Sequence, residues 1–110
     1  MKCSEYLWKR IALDTAAPDE WSPEQVTREL RAAMTKAGDT AIVSDTTGEP
    51  MSERDALSVY GRNQDKLNEA YRLGKKSLFE LVVKEQNLSD DEYEAAKAAE
   101  EDSGFTNPNG

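Results

Sequence analysis

The chain has 110 residues, a single-domain length, with 33% charged and 37% apolar residues, so any core it builds is lean. It carries 22 acids against 14 bases and no histidine, for a net charge of -8, which disfavours nonspecific nucleic-acid binding and removes imidazole from any catalytic or metal-binding scheme. One cysteine excludes an internal disulfide, and no run approaches the roughly 20 apolar residues that cross a bilayer.

The elements read as helices joined by well-marked stops. Residues 4–13 predict a first helix with Tyr6, Leu7, Ile11 and Trp8 as its apolar stripe. Cys3, just before it, reads as a small residue without a role. Residues 16–20 form a linker around Pro18. The second helix starts at Ser22, takes Pro23 at its first position and stops at Gly38. Its expected buried face is Val26, Leu30, Ala33, Met34 and Ala37.

Ser22 belongs to a recurrent start signal: an apolar residue, a serine, two residues, then an acid or amide. Trp21-Ser22-Pro23-Glu24-Gln25, Met51-Ser52-Glu53-Arg54-Asp55 and Leu88-Ser89-Asp90-Asp91-Glu92 all follow it. A serine hydroxyl there accepts from a free amide of the first turn, and the residue three on reaches back. The preceding apolar residue is placed to clamp Val26, Ala56 or Tyr93 respectively.

Between the second and third helices, residues 40–44 are the one β-like run. They predict a short strand, an arm of a hairpin returning through residues 49–51, or an extended linker. From 52 to 86, Leu57, Tyr60, Leu67, Tyr71, Leu78 and Leu81, with Gln64 and Gly74 inserted, alternate in steps of three and four like a coiled-coil seam. A continuous helix and a helix broken near Gly61 both fit. The break is favoured, with a second segment running from about 63 to 86 and Gly74 allowing close approach of another helix. The third serine then starts a last helix to about residue 101, and residues 102–110 are expected to be a disordered tail. The fold class that follows is mainly α: a small bundle of four to five helices, one domain over residues 1–101, with at most one short β element or hairpin near 40–50.

Functional signals are sparse. The chain lacks a phosphate-cradling glycine loop, a zinc spacing and a nucleophile elbow, and Cys3 has no histidine to activate it. Neither an enzyme, a cofactor nor a metal site is expected, since helix capping accounts for most of the acids at Asp90, Asp91, Glu92 and Glu94.

Charge is segregated instead. Residues 62–76 hold Arg62, Lys66, Arg72, Lys75 and Lys76 against two acids, a net of +3, whereas residues 77–110 hold nine acids and two lysines, a net of -7. The first expectation is a non-enzymatic protein-interaction module, an acidic inhibitor or regulator of a host or partner protein. Its general character matches those encoded by phages and plasmids, including blockers of nucleic-acid-binding proteins. The alternative is a small DNA-binding transcriptional regulator using the basic helix 62–76.

The partner-binding candidates are thus Arg62, Lys66, Arg72, Lys75 and Lys76 on one side and Asp90, Asp91, Glu94, Glu100 and Glu101 on the other. Self-association through Leu67, Tyr71, Leu78 and Leu81, basic island against acidic helix, is a third expectation. Trp8 and Trp21 read as anchors of their helices or as interface residues. The expected location is the cytoplasm, with no membrane contact and no secretory signal after Met1-Lys2.

Overall fold

A computed structural model describes the backbone of residues 1–105 and the side chains of residues 1–99. Its elements are α1 (Cys3–Ala16), α2 (Pro23–Ala37), β1 (Ile42–Val43), β2 (Pro50–Met51), α3 (Glu53–Arg62), α4 (Gln64–Arg72), α5 (Lys76–Glu85) and α6 (Asp90–Phe105). The protein is mainly α with a short antiparallel hairpin, as the sequence predicts. Among the described residues, no helix is long and apolar enough to cross a membrane.

All three serines cap their helices. Ser22 Oγ accepts from the Gln25 amide at 3.2 Å, Ser52 Oγ from the Asp55 amide at 3.1 Å, and Ser89 Oγ from the Glu92 amide at 3.1 Å. The Ser89 box closes in both directions, because the Ser89 amide donates to Glu92 Oε1 at 3.0 Å. This hydrogen bond holds the Glu92 carboxyl below its ordinary range. Gln25 takes another partner, its side-chain amide donating to Glu29 at 3.0 Å.

The long stretch after Ser52 is divided twice, which gives six helices among the described residues rather than four or five. The first division lies at Asn63, two residues past Gly61: its backbone leaves helical geometry at φ -127° and its side-chain amide donates to the Val59 carbonyl at 3.1 Å. The second lies at Gly74, where a helix was expected to continue. Gly74 adopts φ 72°, its amide donates to the Tyr71 carbonyl, and the Lys75 amide donates to the Ala70 carbonyl. That pair of bonds is a Schellman stop. Gly38 ends α2 in the same way, with φ 75° and bonds from Gly38 to Thr35 and from Asp39 to Met34. Gly74 is therefore a helix terminator. Nothing lies within 4 Å of where its Cβ would stand, so it does not serve close packing.

α1 is the hub of the fold, touching α2, α3, α4, α5 and β1. Tyr6 and Leu7 are fully buried and Ile11 nearly so, joined in one cluster by Leu30, Met34, Ala56, Leu67, Leu78, Phe79 and Val82. Trp8, half-buried, meets Tyr71 and Phe79 edge-on with ring centroids 4.8 and 5.1 Å away, so it anchors α1 to α4 and α5. On α2 the buried face is narrower than expected. Val26, Leu30 and Met34 are buried, but Ala33 and Ala37 are exposed, because one edge of that helix faces no neighbour.

The β-like run does pair within the chain. Ile42 faces Met51 and Val43 faces Pro50, and the Val43 amide also donates to the Met1 carbonyl at 2.9 Å. A two-stranded ribbon alone is marginal. Here the turn has a second attachment: Asp45 accepts from the Ser4 amide at 2.9 Å and from the Ser4 hydroxyl at 2.5 Å. α1 has no capping side chain of its own at Lys2, so the hairpin supplies its cap.

Candidate functional site

The basic island and the acidic helix, far apart in sequence, meet in the fold. Lys66 Nζ lies 2.8 Å from Asp90 Oδ1, and the Asp90 carboxyl is held low by that hydrogen bond and by the ammonium charge. Lys75 Nζ donates to the Lys97 carbonyl at 3.2 Å. Arg62, at the end of α3, donates to Gln86 Oε1 at 2.7 Å. These bonds join α3 and α4, and the turn before α5, to α6 and the connection leading into it.

Tyr93 sits at the centre of the contact. Its ring is buried, and its hydroxyl donates to Glu69 Oε1 at 2.6 Å with the Lys66 carbonyl 3.3 Å away. Lys97 Nζ reaches the same Glu69 oxygen at 3.3 Å and Glu94 Oε1 at 3.2 Å. The ammonium groups of Lys66 and Lys97 lie 5.8 and 5.4 Å from the centroid of the Tyr93 ring. The Tyr93 hydrogen bond, then Lys97, hold the Glu69 carboxyl below its usual range. Burial, then Glu69, push the Tyr93 phenol up, while the hydrogen bond to Glu94 raises Lys97. Glu69, Tyr93 and Lys97 were not among the sequence candidates. Glu94 and Lys97 are three apart and so locally legible, but the link to Glu69 spans 28 residues and carries no spacing signal.

The other candidates do not join this contact. Arg72 and Lys76 are exposed at the α4–α5 corner, where Lys76 Nζ lies 5.4 Å from the Trp8 ring centroid. Between them Leu73 is 47% exposed, the one large exposed hydrophobic side chain among the described residues. Asp91 is exposed, and the side chains of Glu100 and Glu101 lie outside the described residues. Residues 106–110 of the expected tail also lie outside them; the α6 backbone itself runs to Phe105.

The seam proposed for self-association is not a surface stripe. Leu67 and Leu78 are buried in the chain's own core, whereas Tyr71 and Leu81 are half-buried. The stop at Gly74 separates α4 from α5, and Leu67 and Leu78 enter the same core from the two helices.

The thiol and the phenol on α1 are buried or paired. Cys3 is 1% exposed, and burial, reinforced by Asp45, pushes its thiol up to about 12, which keeps it protonated near neutrality. Tyr6 donates to Glu53 at 3.1 Å and Arg31 pairs with the same carboxylate, which ties α1, α2 and α3 together. That cluster borders a cavity of about 440 Å³ walled by Met34, Ile42 and Met51. Among the described residues no three acidic or cysteine side chains gather as a metal site would require. No protein-family model, curated protein or solved structure matches this chain.

Proposed function

We propose that this chain is a non-enzymatic interaction module that acts by occupying the surface of a partner protein with its acidic face. One observation carries the reading: three of the five island cations are engaged by the chain itself. Lys66 is engaged by Asp90, Lys75 by the Lys97 carbonyl and Arg62 by Gln86. A molecule of net charge -8 then offers a partner chiefly carboxylates, with Asp91 exposed on the first turn of α6 and Asp90 and Glu94 exposed beside the lysines they pair with. Such a face favours a basic protein surface and steers the encounter electrostatically.

The DNA-binding alternative is less well supported, because a net charge of -8 and the carboxylates of α6 beside the island oppose the approach of phosphates. The role we propose is that of an inhibitor or regulator of this partner, acting in the cytoplasm. The test is capture on the immobilised full-length protein at low and at high salt. Retention of a protein that is released by salt, and lost with Asp91→Asn combined with Glu94→Gln, is the expected result. Retention of nucleic acid that is lost with Arg72→Glu and Lys76→Glu would overturn the proposal in favour of the alternative.

A further inference from the structure

We infer that the groove on α4 and α5 covered by residues 90–97 of α6 is also a docking surface for the α6 of a second copy of this chain, reached by opening the connection at residues 86–89. This is independent of the partner reading above, since its occupant is the chain itself.

The groove is complementary to α6 in charge and in hydrogen bonding. Lys66 receives Asp90, Glu69 receives both the Tyr93 hydroxyl and Lys97, and Lys75 receives the Lys97 carbonyl. Each of these contacts joins α6 to residues before the connection, so a second copy supplies the same set without a new contact. The helix is also self-sufficient at its start. Ser89 and Glu92 close the capping box from within residues 89–92, so α6 keeps its N-terminus when it leaves its own groove.

The attachment in place is modest. Tyr93 is the single buried side chain of α6 among the described residues, with Ala96 and Lys97 half-buried, as is Leu88 in the connection before it. Segments with few buried contacts open at low free-energy cost. An empty groove leaves the Lys66 ammonium and the Glu69 carboxylate without their partners, and a second α6 satisfies both.

Strain marks the hinge. Gln86 has φ 34° and ψ -30°, and it is the one non-glycine residue of the described chain at positive φ. That conformation is costly for a residue with a side chain, and it is required only while α6 folds back. Extending residues 86–89, which span at most about 14 Å, relieves it. A short, strained connection is the feature that turns an intrachain contact into an exchanged one.

The experiment refolds an equimolar mixture of unlabelled and nitrogen-15-labelled full-length protein at high concentration, then separates monomer and dimer by size. Carbodiimide joins Lys66 to Asp90, and mass spectrometry of the digested dimer reads whether the two halves carry the same or different labels. The expected result is a dimer whose Lys66–Asp90 peptides are of mixed label. Measured against Arg62→Ala, which removes the Arg62–Gln86 hydrogen bond alone, Gln86→Gly relieves the backbone of the monomer and lowers the dimer fraction by about tenfold or more. Three results would overturn the inference: only monomer after concentrated refolding, a dimer with same-label peptides alone, or a mixed-label dimer indifferent to Gln86→Gly.

Discussion

Asp45 shows how a single carboxylate can decide a helix it does not belong to. α1 begins at Cys3 behind Lys2, which offers no acceptor, and the first-turn amide of Ser4 is nonetheless bonded because the hairpin turn brings Asp45 to it. The Ser4 side chain is buried and bonds to the same carboxylate, so removing Asp45 leaves two donors without their acceptor. Asp45→Ala is expected to cost about 1–2 kcal/mol of stability, measured by urea unfolding, with Asp45→Asn costing less because it keeps one oxygen. Equal losses for the two variants would mean that the contact acts through charge rather than through capping. Sequence spacing could not reveal this pair. Forty-one residues separate its members, and neither follows a motif.

At the scale of elements, the glycines divide into two kinds that composition alone does not distinguish. Gly38 and Gly74 sit past helix ends at positive φ, whereas Gly61 lies inside α3 with open space where its Cβ would stand. Gly61→Ala should therefore stabilise by roughly 0.5–1 kcal/mol, the helix-propensity difference. Gly74→Ala should destabilise by about 1 kcal/mol, since alanine resists the left-handed region. Thermal unfolding of the two variants decides the assignment, and a midpoint that rises for both would contradict it. The same contrast explains where the seam from 52 to 86 misled. Its three-and-four alternation is real, but the stop at Gly74 interrupts it. Leu67 and Leu78 consequently reach one core around α1 from two separate helices.

Over the whole molecule, α6 is the element attached mainly by titratable groups. Glu69, Asp90 and Glu92 all have carboxyls held below their ordinary values. A lowered folded value means that the native state binds protons less readily than the unfolded chain. The stabilisation is then complete above the ordinary value and is lost as pH falls through the folded one. Loosening of α6 from α4 should set in as pH falls below the ordinary carboxylate values of Glu69 and Asp90, whereas protonation of Glu92 opens only the helix's own capping box. Tyr93 and Lys97 are shifted upward from ordinary values of 10.0 and 10.5, so their contribution persists below those values and is lost as pH rises above them. Hydrogen exchange of α6 amides, corrected for intrinsic rates, should rise at both ends of this window ahead of exchange in α1. Equal protection of α6 and α1 throughout the acid limb would show that these groups do not hold α6 in place.

Local rules were sufficient for what lies within one helical turn. The serine caps at Ser22, Ser52 and Ser89, the stop at Gly38, the apolar stripe of α1 and the mainly α class follow from contacts three or four residues apart, and a linear sequence displays that spacing. Tertiary structure decided the rest. It determined that Asp45 caps α1, that Gly74 ends a helix while Gly61 continues one, and that Ala33 and Ala37 stay exposed. It also turned the basic island and the acidic helix, legible only as two opposite charges, into one contact built on Lys66, Glu69, Asp90, Tyr93 and Lys97. The physical reason is common to all of these. Burial and ion pairing depend on which faces of separate elements are placed together, and that placement is a property of the packed core rather than of any single segment.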